Sequence, residues 1–109
     1  MPFDEDLARR LREKLGGRAG VTERAMFGGK VFFVDGNLCV GVVRDQLVAR
    51  VGPERLADAV ARPGTRPFDL TGQPMSGWVL VGPAGCPDDG ALAGWVAEAL
   101  EYVRTLPKQ

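Results

Sequence analysis

The chain has 109 residues, enough for one domain with a buried core and no covalent cross-links. Fourteen Lys and Arg balance fourteen Asp and Glu, which argues against strong attraction to nucleic acid or to an anionic membrane. The chain has no histidine, and its two cysteines, Cys39 and Cys86, lack the spacing of zinc ligands, so the sequence predicts no metal site.

The N-terminus begins Met1-Pro2-Phe3 and passes directly into acidic residues, without the charged and then apolar pattern of a secretory leader. No apolar run approaches the roughly 18 residues of a membrane-spanning helix. We therefore expect a cytoplasmic protein with both thiols reduced. Cys39 is expected to fill a strand position as a small apolar side chain.

The first predicted element is an amphipathic helix over residues 4–15. Leu7, Leu11 and Leu15 recur every four residues and form one apolar stripe. Acidic residues crowd the first turn, where carboxylates cap free N–H groups and complement the helix dipole. The glycine pair 16–17 is expected to end the helix, because glycine readily adopts the left-handed conformation found there.

From residue 21 to residue 51 the apolar period becomes that of strands. The pair Asp35-Gly36 suits a two-residue type I′ hairpin turn, because both central positions need a positive φ. A further reversal is predicted at Arg44-Asp45. Phe32 and Phe33 are adjacent, so they should point to opposite faces of the sheet. The predicted strands are 21–27, 31–34, 38–40 and 47–51.

The second half of the chain is predicted to return to helix, then strand, then helix. Gly52-Pro53 breaks the sheet and opens a short helix, which Pro63-Gly64 ends. Residues 65–70 are predicted to be extended, 71–74 a loop, 78–81 a buried strand and 82–87 an irregular connector. The short helix should present Leu56, Ala57 and Val60. Asp88 should cap a closing helix whose apolar side is Leu92, Trp95, Val96, Ala99, Leu100 and Val103.

Runs of consecutive strands, rather than strict alternation of strand and helix, predict an α+β fold. We expect one domain, residues 1–109, built as a two-layer antiparallel sheet with helices packed on it. The predicted element order is α-β-β-β(-β)-α-β-β-α.

The sequence shows no recognisable catalytic motif. Without histidine there is no Ser-His-Asp or Cys-His arrangement. The carboxylates Asp88-Asp89 are explained by a helix cap, and Asp69 by a turn. The run Phe27-Gly28-Gly29-Lys30 departs from the phosphate-binding loop, because a strand follows it. We predict no enzyme and no cofactor. The alternative is a small-molecule binder or enzyme with carboxylates, arginines and Cys39 in a pocket.

The stretch 24–29 sets an apolar pair, Met26-Phe27, directly before two glycines. These side chains are either pinned in a core, which is the simpler explanation and holds also for Trp78, or offered to a partner protein. Arg, Met and aromatic residues are enriched in binding surfaces. The candidate interaction surface is Arg24, Met26, Phe27, Gly28, Gly29, Met75 and Trp78.

Six basic residues against two acids lie between Arg9 and Arg24. A solvated helix face explains them, and a weak DNA-binding patch is the second alternative. With zero net charge we do not expect direct binding to nucleic acid. We also expect self-association as a homodimer, because a short two-layer sheet tends to leave an edge or a face uncovered. The arginines of the patch are Arg9, Arg10, Arg12, Arg18 and Arg24.

Four stretches of the chain carry a further signal. They are Glu23-Arg24-Ala25-Met26-Phe27-Gly28-Gly29, Asp35-Gly36, Val51-Gly52-Pro53-Glu54-Arg55 and Thr71-Gly72-Gln73-Pro74-Met75-Ser76-Gly77-Trp78-Val79. In this order and spacing they resemble the N-terminal domain of the TfoX/Sxy family. The resemblance implies a two-layer fold similar to that of secretion chaperones.

Longer members of that family are regulators of natural competence that act with a cyclic-AMP receptor protein and carry an additional C-terminal domain. The resemblance implies a stand-alone short member here, and it implies no catalytic residues. Together with the missing catalytic set, it leads us to expect a small cytosolic protein-binding or regulatory module.

Overall fold

The computed structural model describes residues 3–26, 28–68 and 77–108. Within these ranges the elements follow the predicted order of helix, four strands, helix, two strands and helix. The helices are α1 (Glu5–Leu15), α2 (Leu56–Val60) and α3 (Asp89–Val103). The strands are β1 (Val21–Met26), β2 (Gly29–Val34), β3 (Asn37–Val43), β4 (Gln46–Arg50), β5 (Thr65–Pro67) and β6 (Trp78–Val81).

The strands form one antiparallel sheet in the order β1-β2-β3-β4-β6-β5, so β1 and β5 are its edges. The first four strands are a meander, and β6 pairs with β4 before β5 completes the sheet. The α+β prediction is confirmed. No helix among the described residues has the length and apolar character needed to cross a membrane.

Helix α1 forms as its pattern predicts. The Asp4 carboxylate accepts hydrogen bonds from the backbone N–H of Asp6 at 3.0 Å and of Leu7 at 3.1 Å, so it caps two of the free donors of the first turn. The leucine stripe packs against the sheet. Its buried residues are Leu7, Ala8, Leu11 and Leu15.

The reversals between strands also form at the predicted residues. Asp35 and Gly36 have φ values of 52° and 83°, as the type I′ turn requires. Arg44, at the next reversal, has a φ of 56°. Both hairpins therefore adopt backbone conformations that few side chains tolerate.

A β-bulge in β3 was not predicted. Phe32 lies opposite Val40 and Phe33 lies opposite Leu38, which leaves Cys39 as one extra residue in β3. Because of this extra residue, Cys39 and Val40 both point to the same face of the sheet and both are fully buried.

The two faces of the sheet carry separate apolar clusters. The helix-covered face packs against α1 and α3, and its cluster contains Phe32. The opposite face, called the second face below, contains Phe33, so the predicted split of the two phenylalanines is confirmed. The buried residues of the second face are Val31, Leu38, Val43, Val48, Phe68, Trp78 and Leu80.

Parts of the second half differ from the prediction. Ala57 is exposed and Ala59 is buried, so the predicted apolar face of α2 was wrong at that position. A 3-10 turn, Pro53–Arg55, precedes α2. Helix α2 packs against β5 and β6, and this packing buries Ala59 in the cluster of the helix-covered face. The connector 82–87 contains a second 3-10 turn, Pro83–Gly85. The predicted loop 71–74 lies outside the described residues.

Gly52 and Gly77, which belong to two of the stretches that resemble the family, pack against each other; this contact is called the glycine crossing below. The N–H groups of Val51 and Gly52 donate to the Gly77 carbonyl at 2.9 and 3.1 Å. Gly77 has a φ of +85°, and a Cβ there would lie 2.8 Å from the carbonyl carbon of Gly52. A Cβ on Gly52 would in turn lie 2.5 Å from the Tyr102 ring. Both positions therefore require glycine.

Candidate interaction surface

The structure divides the predicted interaction residues into exposed and buried groups. Arg24 and Gly28 are exposed, and Met26 is half-buried. Trp78 is only 8% exposed and Gly29 is buried. Phe27 and Met75 were also predicted to belong to this surface, and they lie outside the described residues.

Trp78 belongs to the core of the second face and not to an exposed groove with Arg24. Its ring is tilted by 48° against Phe68, with 5.9 Å between the ring centroids. The Arg50 guanidinium lies 5.1 Å from the centre of the Trp78 ring and 5.7 Å from that of Tyr102. Three strands separate β6 from β1. The core explanation of Trp78 therefore fits its position.

Gly29 is fixed by packing between strands. A Cβ on Gly29 would overlap the Val42 carbonyl oxygen of the neighbouring strand. Glycine is needed there because the two backbones approach closely. Gly28 differs, because its φ of +74° favours glycine but a Cβ would have open space around it.

What remains exposed is a strip on the second face along β1, made by Thr22, Arg24, Met26 and Phe33 and called the β1 strip below. The Arg24 guanidinium lies 5.5 Å from the centre of the Phe33 ring, within the range of a cation–π contact. Met26 and Phe33 are half-buried against the second-face cluster. Among the described carboxylates, none forms an ion pair with Arg24.

The charge on the other side of β1 is compensated. Glu23 accepts hydrogen bonds from Arg12 Nε at 2.8 Å and Arg12 Nη2 at 2.7 Å, and Lys30 Nζ lies 3.8 Å away. The hydrogen bond from Arg12 lowers the pKa of Glu23 below its ordinary value, against a smaller opposing effect of burial. The strand thus carries one neutralised anion, Glu23, and one cation, Arg24, that pairs with no described carboxylate.

The backbone of β1 has an open side. Asp35 N donates to Gly20 O at 2.9 Å, so this pair exchanges hydrogen bonds across β1 and β2. In an antiparallel ladder such pairs alternate, which makes Thr22, Arg24 and Met26 the next residues that bond to β2. The N–H and C=O groups of the intervening residues point away from the sheet. Those residues are Val21, Glu23 and Ala25.

The predicted basic patch is broken up by ion pairs. Arg9 bonds to Asp6 and to Glu13, Arg10 pairs with Asp89 at 3.4 Å, and Arg12 is held by Glu23. The charges of these three arginines are compensated on or next to α1, whereas Arg18 and Arg24 of the predicted patch form no ion pair with a described carboxylate.

The candidate catalytic groups have structural explanations. Burial raises the pKa of the Cys39 thiol to about 12, and burial also raises the pKa of the Cys86 thiol, so both thiols are poor nucleophiles. Asp88 accepts from Ala91 N at 2.8 Å as the predicted cap of α3. A hydrogen bond from Lys14 lowers the pKa of Asp89. The described residues contain no cluster of three potential metal ligands among Cys, Asp and Glu.

A cleft of about 510 Å³ lies beside the glycine crossing. Arg55 and Glu101 face each other across it, joined by a 2.6 Å ion pair. The cleft also contains apolar surface from Tyr102 and Leu106. The cleft therefore contains the carboxylates and arginine of the alternative prediction, but Cys39, which that prediction also placed in the pocket, is buried in the core.

Sequence reasoning missed two features of the site. Phe33 was not among the candidates, although the hairpin register that sets Thr22 opposite Phe33 puts it beside Arg24 on the same face. The stacking of Arg50 between two rings was also missed. It joins residues that are distant in sequence, and no local pattern signals it.

Comparison with protein families identifies the chain. A family model described as the TfoX N-terminal domain matches residues 13–103. Neither a comparison with curated proteins nor one with solved structures found a match. The matched range covers most of the 109 residues and includes every strand of the sheet. The chain belongs to the TfoX N-terminal domain family.

Proposed function

We propose that this domain is a small regulatory module that works by binding another protein through the β1 strip. The observation that carries the proposal is Arg24, an exposed cation resting on Phe33 with no described carboxylate as partner. Arginine, methionine and aromatic side chains are enriched in protein interfaces, and arginine is among the residues that most often dominate the binding energy. Family membership supports a regulatory role, and we propose the cytoplasm as the place of action.

The distribution of charge supports a binding role over a catalytic one. The carboxylates with lowered pKa, Glu23 and Asp89, are held in ion pairs at the surface. Glu23 lines a cleft between α1 and β1, but among the described residues no second acid or base and no nucleophilic side chain lines that cleft, apart from the basic Arg12 and Arg18. Their pKa shifts are therefore explained by pairing with basic side chains.

The proposal can be tested by site-specific photo-crosslinking in the native cell. A photoreactive residue replaces Thr22, which is exposed on the β1 strip, and in a matched control replaces Ala97, which is exposed on α3. We expect a discrete crosslinked protein from position 22, lost when Arg24→Glu is added. Equal products from positions 22 and 97, or no dependence on Arg24, would overturn the proposal.

The cleft beside Tyr102 supports a second candidate function, binding of a small molecule. Its favouring observation is the pairing of Arg55 with Glu101 beside apolar surface, since small-molecule sites combine apolar lining with a few polar groups. A thermal-shift screen of nucleotides and metabolites tests it. A ligand at a hundred times its Kd adds about 2.7 kcal/mol of stability, and the shift should vanish in Arg55→Ala.

A further inference from the structure

We propose that the partner binds by strand addition: an extended segment with an acidic side chain pairs in antiparallel fashion with the open edge of β1. This inference rests on the proposed function and specifies its mode. Four features support it: β1 is the more accessible of the two sheet edges, its outer backbone groups are open, Arg24 favours an acidic partner residue, and β1 pairs poorly with a second copy of itself.

The two edges of the sheet differ in their suitability for a new strand. The edge strand β5 has three residues and ends in Pro67, which lacks an N–H donor. The edge strand β1 has six residues, no proline and a regular register with β2 throughout. Long regular edges are templates for pairing, and proline is one of the devices that protect an edge.

The open edge of β1 offers alternating pairs of hydrogen-bonding groups. Val21, Glu23 and Ala25 direct their N–H and C=O groups away from β2, as the Asp35–Gly20 hydrogen bond requires. None of the described residues pairs with this side of β1. Strand addition satisfies such groups and takes its affinity from them.

Pairing of β1 with a second copy of itself is disfavoured. In a continuous two-fold sheet, residues whose backbone groups point outward must lie opposite other outward residues, and the residues between them then also lie opposite each other. The longest overlaps of β1 with its copy are therefore centred either on Glu23 or on Arg24. The first sets Glu23 opposite Glu23, and the second sets Arg24 opposite Arg24. Like charges directly opposite destabilise a strand pair. Self-association remains a prediction, and the like charges at these positions disfavour the β1 edge as its route.

The charges on β1 define the segment that fits it. Thr22, Arg24 and Met26 would face the new strand at non-hydrogen-bonded positions, where side chains approach most closely. Arg24 lacks a described carboxylate partner, so an acidic residue opposite it is favoured. An apolar residue fits opposite Met26. Because the added strand is antiparallel, its residue opposite Met26 comes first. From its N-terminus to its C-terminus the segment therefore has the pattern apolar residue, any residue, acidic residue.

The probe for the test is a phage-displayed library of random dodecapeptides, selected on the intact domain. We expect the apolar-any-acidic pattern to be enriched. Selection on Arg24→Glu should reverse the preference to basic residues. Failure to enrich any peptide that prefers wild type over Arg24→Glu would overturn both this inference and the proposed use of the β1 strip.

Two variants at one position separate strand addition from binding by side chains alone. Ala25→Pro removes an outward N–H without removing a bond to β2, and Ala25→Val is the matched control that keeps it. We expect the synthesised consensus peptide to bind Ala25→Pro at least about tenfold more weakly, a loss of about 1.4 kcal/mol, and to bind Ala25→Val almost unchanged. Circular dichroism checks that both variants are folded.

Amide hydrogen exchange gives a second, independent readout. The peptide should slow exchange at Glu23 and Ala25, whose N–H groups point outward. Arg24 and Met26 already bond to β2 and should change little. Peptide binding that depends on Arg24 but leaves these amides unchanged, and that tolerates Ala25→Pro, would overturn strand addition while leaving the proposed function standing.

Discussion

Two regions that carry the family resemblance, the glycine crossing and the β1–β2 hairpin, are built on different principles. At the crossing, Gly77 packs against Gly52, and Gly52 packs against Tyr102, so contacts inside the domain explain both glycines. At the hairpin, Gly29 has such a contact, but Arg24 and Gly28 face outward. A motif can therefore join residues that hold a fold together with residues available for binding.

The two regions should differ most in how much stability they lose when one glycine is replaced by alanine. Gly77→Ala must strain a positive φ and push against the backbone of Gly52 and Pro53, 2.8 and 2.9 Å away. We expect a loss of roughly 3–6 kcal/mol in the free energy of unfolding. Gly28→Ala strains only its φ, because nothing lies near, and should cost roughly 1–2 kcal/mol. Urea unfolding measures both, and equal losses would remove the distinction.

A second comparison uses one aromatic residue from each region. Trp78→Ala leaves a cavity on the second face and removes the ring on which Arg50 rests, so it should cost about 3–5 kcal/mol. Phe33 is half-buried, and Phe33→Ala should cost about 1–2 kcal/mol, because less of its area leaves water on folding. Thermal unfolding of both variants is the measurement. A larger loss for Phe33 would contradict its placement on the surface strip.

Two arginines that stack on rings offer a matched pair. The Arg62 guanidinium lies 4.7 Å from the centre of the Trp95 ring. It forms ion pairs with Glu98 at 2.9 Å and with Asp58 at 2.8 Å. Arg62→Ala should cost about 1–2 kcal/mol, because Glu98 is largely buried and would lose its shorter ion pair, keeping only Arg55 at 4.0 Å. Arg24→Ala breaks no ion pair and should change stability by less than about 1 kcal/mol. Denaturant midpoints compare them. A larger cost at Arg24 would give this residue a structural role instead of the binding role.

The smallest expected effect concerns pH. The pKa of Glu23 is lowered in the folded state, so the stability from its pair with Arg12 is present above the unfolded value of about 4.3 and is lost as pH falls through the folded pKa. The pair should contribute less than about 1 kcal/mol. Glu23→Gln should therefore lower Tm near about pH 6, and this difference should shrink as the pH falls below about 4.3. A pH-independent difference would exclude this linkage.

Local patterns predicted the elements well because each depends on neighbouring residues. The leucine stripe of α1, the positive φ values at Asp35-Gly36 and the buried strand at residues 78–81 all follow from short-range rules and were confirmed. The predicted face of α2 was wrong at Ala57 because packing against β5 and β6 decides which of its residues are buried, and contacts between separate elements have no local signal.

The candidate surface was harder to predict because its members are sorted by tertiary packing. Arg24 and Trp78 looked alike in sequence as potential binding residues. The sheet order places one at an edge and the other beside β4, where Phe68 and Arg50 pack against it. The glycine crossing depends in the same way on which strands become neighbours, and sequence distance gives no information on that.

The extra residue at Cys39 makes β3 tolerant of a change in length at one place. Deleting Cys39 would leave Val40 facing α1 and α3 and Leu38 facing the opposite side, as they do now. A deletion elsewhere in the strand would turn every residue beyond it to the wrong side. Shorter relatives of this domain, if they lose a residue from the meander, should lose it at this position.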